Sequence, residues 1–163
     1  PYGYRAMGEL SVFLFFGLVA TAGSTYVQTR SVAPLALVLG SAIGLVAAAL
    51  LVVNNLRDRE ADARLGKRTL AVRLGDQGTR KLFSASLIGA WLLVALAAAV
   101  SGWPILLGLV VTPLGIDAVR RVRSDAEGPR LIEVLGITGQ ILLIGGVALA
   151  VGVALAERGP LAV

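Results

Sequence analysis

The sequence predicts an all-α protein, a polytopic bundle of membrane-spanning helices. Three observations carry this. Of 163 residues, 56% are hydrophobic and only 15% charged, where an ordinary soluble domain carries about 25% charged residues. The mean hydropathy is +0.83. The apolar residues gather into five runs, and runs of this kind cross a bilayer core of about 30 Å. Read instead as buried helices of a soluble protein, five such runs leave too little polar surface to cover them.

Segment A covers residues 9–28 and segment B residues 33–53. Both reach the roughly 17 to 25 residues that a spanning helix requires. Segment C, residues 82–100, and segment E, residues 131–156, do so as well. Segment D, residues 103–116, is short and contains Pro113. A proline inside a helix removes a backbone hydrogen bond and kinks it. D is therefore expected to be bent, or to run on toward Arg121 with its long cations reaching back to the interface. Trp103 is placed at the outer interface, and Trp91 with the other aromatics in packing or against lipid. Gly40 and Gly44 form a GxxxG pair in B, while Gly139, Gly145, Gly146 and Gly152 line E. Small residues of this kind let helix backbones approach closely in lipid.

The cations set an orientation. Thirteen of the fifteen lie at Arg5, in the connection after B, or in the connection after D; only Arg30 and Arg158 lie on the other side. The N-terminus and both basic connections are expected to face the cytoplasm, and the C-terminus to face outward. The first residues, from Pro1 to Gly8, read as the middle of a loop, as in a part of a longer protein.

Absent residue types narrow the chemistry. There is no Cys and no His, which excludes disulfides, thiolate or imidazole metal sites, and His-based acid–base or Ser-His catalysis. Carboxylates, amides, hydroxyls and cations remain, and they crowd into residues 54–75, NNLRDREADARLGKRTLAVRLG. Asn54, Asp58 and Asp62 stand at i, i+4 and i+8. Each step of four drifts about 40°, so the three share one broad helix face, with Glu60 on the opposite side. This needs segment B to continue as a helix past Val53. Two carboxylates one turn apart repel, and a divalent cation relieves that repulsion. Mg2+ suits such a site, because it takes one or two carboxylates and fills its shell with water and phosphate oxygens. Lys67 and Arg68 follow closely and could meet the remaining charge of a diphosphate. The same stretch also reads as a solvated helix end with internal ion pairs, its cations explained by the positive-inside bias alone. Asp117 with Arg120 and Arg121 reads as an ion pair at a helix end. Glu133 is expected to start the last helix, and residues 124–128 read as a plain turn before Pro129.

The run N-N-x-R-D-x-E-x-D-x-x-x-G-K-R-T-L-A, from Asn54 onward, resembles the second aspartate-rich motif of the UbiA superfamily of intramembrane prenyltransferases. Within that superfamily it is most similar to the branch acting on 1,4-dihydroxy-2-naphthoate in menaquinone biosynthesis. Tyr4-Arg5-Ala6-Met7-Gly8-Glu9 and Phe13-Leu14-Phe15-Phe16-Gly17 resemble the same family's approach to its fifth helix. The likeness is strong over residues 1–75 and rests on hydropathy afterwards.

The resemblance implies a nine-helix fold with a cytoplasmic-side active site and Mg2+. Segments A to E would be its helices five to nine. Residues 1–163 would be the C-terminal part of one transmembrane prenyltransferase domain in the cell (inner) membrane. Asp58 and Asp62 match the catalytic metal ligands, and Asn54 matches a supporting amide. Lys67, Arg68 and Arg5 fall where the family holds diphosphate. Glu9 is either a helix-start charge or a wall of the acceptor pocket. The implied partners are a polyprenyl diphosphate, 1,4-dihydroxy-2-naphthoate and membrane lipid, with no nucleic acid. The implied reaction joins the prenyl group to the ring with loss of carboxylate, giving demethylmenaquinone. The family's first aspartate-rich motif is missing here, so the fragment alone is expected to be inactive without the missing N-terminal half of the bundle. Two other functions stay open. One is a transporter or channel lined by Thr112, Thr138 and Gln140, although no ionisable residue lies mid-segment. The other is a different Mg-dependent lipid phosphotransferase, such as a CDP-alcohol enzyme, whose Asp-Gly and two downstream aspartates are not found.

Overall fold

The computed structural model describes residues 6–124 and 126–157. Among them every regular element is helical and there is no strand. Helix α1 spans Gly8–Thr29, with π-helical turns over Phe13–Val19. It is followed by α2 (Pro34–Arg64) and α3 (Leu70–Ser101). A 3-10 stretch over Trp103–Val111 then leads into α4 (Thr112–Arg123), and α5 (Pro129–Ala156) completes the group. Helices α1, α2, α3 and α5 are each long and apolar enough to cross a membrane.

Helix α2 packs against α1, α3 and α5, while the 3-10 stretch and α4 pack on α3 and α5. Pro34 sits in the first turn of α2, where the missing N–H is no loss. Its 31 residues extend about 46 Å, well beyond a hydrocarbon core of about 30 Å, so its polar end projects from the apolar layer. Small residues govern how α1 meets it. A Cβ added to Gly17 would stand 2.5 Å from the Gly44 Cα and 2.6 Å from the Gly40 carbonyl oxygen. The GxxxG pair of α2 thus receives the backbone of α1. Little else of α1 is covered, and Phe15, Phe16, Val19 and Val27 are all exposed. On its other sides α2 buries two apolar clusters. The one nearer the charged end joins Val52, Val53 and Leu56 to Phe83, Leu87, Val122 and Val134. The other joins Leu39 and Ala42 to Ala90, Val94, Ile105 and Leu149.

Segment C begins earlier than its hydropathy indicates. Helix α3 starts at Leu70, capped by Thr69, whose Oγ1 accepts the Val72 N–H at 3.4 Å. It breaks at Gly75, with φ 69° and ψ −177°, a backbone state that is essentially open to glycine alone. Segment D is drawn out. A 3-10 helix rises about 2.0 Å per residue and an α-helix about 1.5 Å, so Trp103–Arg123 extends about 36 Å. Pro113 falls in the first turn of α4, where it is tolerated. In α5, Gly152 lies against the Pro104 backbone and Gly145 against Val111, whereas Gly146 faces open space. Trp91 packs on Gly115, and Trp103 is exposed at the α3–α4 turn.

Two expectations at the charged end need correction. Glu133 lies in the second turn of α5, and Arg121 Nη1 holds its Oε2 at 2.8 Å, so it is a bridge between α4 and α5 and not a helix-start charge. The turn before Pro129 is not plain. Ala126 is buried, and its carbonyl accepts from Arg80 at 3.2 Å. Arg80 is only 4% exposed; it binds Asp76 through Nε and Nη2 and donates Nη1 to the Val122 carbonyl at 2.6 Å. One cation therefore ties α3 to the end of α4 and to the following loop.

Candidate functional site

The helix continues past Val53 to Arg64, as the spacing of the polar residues requires. Going round α2 at about 100° per residue, Asn54, Asp58, Asp62 and Asn55 fall within an arc of about 100°, with Glu60 on the far side. The side chains along this arc are held one by one.

Asp58 is gripped by its neighbour. Arg57 presents Nε to Oδ1 and Nη2 to Oδ2, each at 2.8 Å, the two-point geometry that planar guanidinium favours. The same Nη2 also donates to Asn54 Oδ1 at 2.9 Å. Asn54 is thus linked to Asp58 through Arg57. The Asp58 side chain is 42% exposed.

Asp62 is only 6% exposed, and the local chain path explains its partner. After Arg64 the chain turns through Gly66 at φ +71°. The Gly66 N–H donates to the Ala63 carbonyl at 3.1 Å and the Lys67 N–H to the Asp62 carbonyl at 2.9 Å. This is a Schellman closure, with glycine at the left-handed position. It folds Lys67 back over the helix end, and Lys67 Nζ meets Asp62 Oδ1 at 2.6 Å.

Of the other expected residues, Glu9 sits in the first turn of α1, buried, and accepts from Asn55 Nδ2 at 2.9 Å. It is thus both a helix-start carboxylate and a link from α1 to the polar arc. Asn55 is the residue that sequence reasoning missed. The Asn54-Asn55 doublet was the available signal, since both lie at the rim of the same arc. Arg68 is exposed in the connection and makes no ion pair with either aspartate. Arg5 lies outside the described residues.

The opposite face of α2 differs. Glu60 pairs loosely with Arg59 at 3.8 Å and Arg64 at 3.6 Å. It borders a polar cavity of about 180 Å3 shared with Asp76, Arg80 and Glu127. Internal ion pairs of this sort are what a solvated helix end would show, but the burial of Asp62 is not.

The donor set can be weighed against Mg2+. Among the described residues no group of three acidic side chains gathers into a closed cage. Two carboxylates about 6 Å apart along one helix face do suit a hard cation that completes its shell with water and phosphate oxygens. Each carboxylate already carries a cation, so the metal would enter by exchange with Arg57 and Lys67. The residues fit the ion in that shared mode.

Two further features bear on chemistry. The apolar cavity inside the group, bordered by Trp91, Val94, Val111 and Ile141, holds only about 30 Å3, room for one water and not for an isoprenoid. The hydroxyls of Thr112 and Thr138 donate to the Leu109 and Val134 carbonyls at 2.6 and 2.8 Å, so both protons are held by their own helix backbone.

Comparison with known proteins matches residues 1–131 to the UbiA prenyltransferase family. The chain is similar to 1,4-dihydroxy-2-naphthoate octaprenyltransferase of Mycobacterium leprae, 44% identical over 96% of this chain and 53% of that protein. The Escherichia coli protein of the same name is 33% identical over 96% of this chain and 52% of its own length. UbiA prenyltransferase domain-containing protein 1 of Mus musculus is 28% identical over 98% of this chain and 46% of its own. The chain spans about half the length of the curated relatives it matches.

Proposed function

Since the chain belongs to the UbiA prenyltransferase family, we propose that it is the C-terminal half of an intramembrane enzyme, contributing helices five to nine of nine. The reaction is transfer of a polyprenyl group from its diphosphate to 1,4-dihydroxy-2-naphthoate with loss of CO2, yielding demethylmenaquinone in its reduced form. The observation that carries this reading is the aspartate pair on one arc of α2, each carboxylate held by its own cation at the polar end of an apolar bundle.

Asp58 and Asp62 are the side chains that would hold Mg2+, which supplies charge neutralisation for a departing diphosphate. Arg57 and Lys67, which hold these carboxylates, would supply positive charge to the diphosphate as the C–O bond breaks. Arg68, exposed in the same connection, and Arg5 add to that field. Glu9, fixed by Asn55, forms the rim on the α1 side, where the aromatic acceptor approaches the allylic cation. The closed interior of the five helices directs the isoprenoid tail to their exposed apolar surfaces, which keep water from the cation. The residues missing relative to the longer relatives complete the site from the open side. The setting is the inner membrane, with the basic connections in the cytoplasm.

The test is turnover of the full-length natural protein carrying Asp58→Ala or Asp62→Ala. The expected result is a loss of about a hundredfold or more in a protein that still folds. Near-normal turnover would remove the metal role. Residues 1–163 expressed alone should give no product. Solute flux in proteoliposomes without covalent product would favour transport instead.

A further inference from the structure

A second polar site lies at the same end of the bundle, away from the aspartates. A groove of about 370 Å3 runs between α3 and the end of α4, bordered by Gln77, Arg80, Lys81, Ser84, Ala85, Ile88 and Arg123. Among the described residues no carboxylate borders it. The charge of buried Arg80 is matched by Asp76, at 2.6 Å. Lys81 and Arg123 are exposed, and among the described residues neither joins an ion pair. The nearest acid on α4, Asp117, is engaged by Arg121 at 2.8 Å. Two cations without an ion pair among the described residues therefore face the groove. Arg80 sets their spacing, because its bond to the Val122 carbonyl brings the end of α4, and with it Arg123, against α3.

The α3 wall changes character along its length. Gln77, Lys81 and Ser84 form its polar upper part; Ala85 and Ile88 follow toward the apolar layer. The stripe from 77 to 88 covers about 16 Å. Leu92, 66% exposed, prolongs it on the same face. A ligand that fills this groove has an anionic head and an apolar body, joined in that order along the membrane normal.

We propose that this groove binds the phosphate head group of an anionic glycerophospholipid, with Lys81 and Arg123 on the phosphate and an acyl chain along Ile88 and Leu92. Basic pockets between spanning helices at a membrane surface recognise such head groups. The site needs only that the chain spans a membrane; it does not depend on the prenyl-transfer reading.

The experiment uses the full-length natural protein in detergent, with native mass spectrometry counting bound phosphatidylglycerol against phosphatidylcholine. Wild type should retain phosphatidylglycerol preferentially. Removing one charge, by Lys81→Gln or Arg123→Gln, should weaken retention about fivefold, and the double variant about 25-fold. Arg73→Gln, an exposed cation outside the groove, should change it by less than about twofold. Equal loss with Arg73→Gln would show diffuse surface attraction and overturn the site, as would unchanged retention in the variants. Soluble glycerol phosphate at matched concentration should not compete; if it does, the groove takes free phosphate and the lipid assignment fails. The single variants are read if the double does not fold. Prenyl transfer is assayed separately, and its loss in Asp58→Ala should leave lipid retention intact.

Discussion

Replacing Gly66 with alanine isolates one conformational demand of the site. Gly66 holds φ at +71°, and a Cβ placed there meets nothing within 4 Å. The penalty is therefore internal to the residue, since an L side chain in the left-handed region costs about 1–2 kcal/mol. The surroundings favour keeping the turn despite that penalty. It makes two backbone hydrogen bonds, at 2.9 and 3.1 Å, and sets Lys67 on Asp62 at 2.6 Å. Gly66→Ala should thus lose about 1–2 kcal/mol of stability with the turn retained. Asparagine tolerates the left-handed region, so Gly66→Asn should lose less, and a β-branched valine should lose more. The assay is thermal unfolding of the purified full-length protein in detergent, ranking the four residues. Glycine, asparagine, alanine, valine is the expected order of stability. An alanine variant as stable as wild type, or an asparagine variant as impaired as alanine, would refute the left-handed turn and with it the path that brings Lys67 to Asp62.

Gly17→Leu should be strongly destabilising, by about 3 kcal/mol or more, because the α2 backbone at Gly40 and Gly44 stands where its side chain would begin. Gly23→Leu, with open space around it, should be close to neutral in the same melting assay. Arg80→Gln should cost about 2–4 kcal/mol through the Val122 and Ala126 carbonyls it leaves without their donor, seen as a lowered melting temperature and faster proteolysis near residue 126. Glu9→Gln keeps an acceptor for Asn55 and should melt within about 1 kcal/mol of wild type, whereas Glu9→Leu should melt lower. If the glutamine variant also keeps full prenyl transfer, Glu9 serves the fold alone.

The five segments were legible because a bilayer demands long apolar runs and leaves little room for disguise. What hydropathy could not mark was the start of α3. Residues 70–81 carry Arg73, Asp76, Arg80 and Lys81 and read as a loop, yet they are helical apart from the break at Gly75. Their stability comes from the Thr69 cap and from carbonyls more than forty residues away that accept from Arg80. The drawn-out 3-10 passage was equally hidden, since Pro113 announces a break but not its geometry. At the site, the arc of Asn54, Asp58 and Asp62 follows from helical periodicity alone. The partners do not. Arg57 looked like one loop cation among many, and Asn55 finds Glu9 across 46 positions. Gly66 was the visible clue to the Lys67 pairing, but only its positive φ turns that clue into a direction.

Helix α1 touches its neighbour chiefly where glycine backbones meet at Gly17 and where Asn55 hooks Glu9. Little of its apolar surface is covered by the other described helices, so its hold on α2 rests on these contacts. That hold is decided by the distance between two main chains. A single misplaced methyl acts there as a wedge, which is why lesions in this arm should show first as failed assembly and only afterwards as failed chemistry.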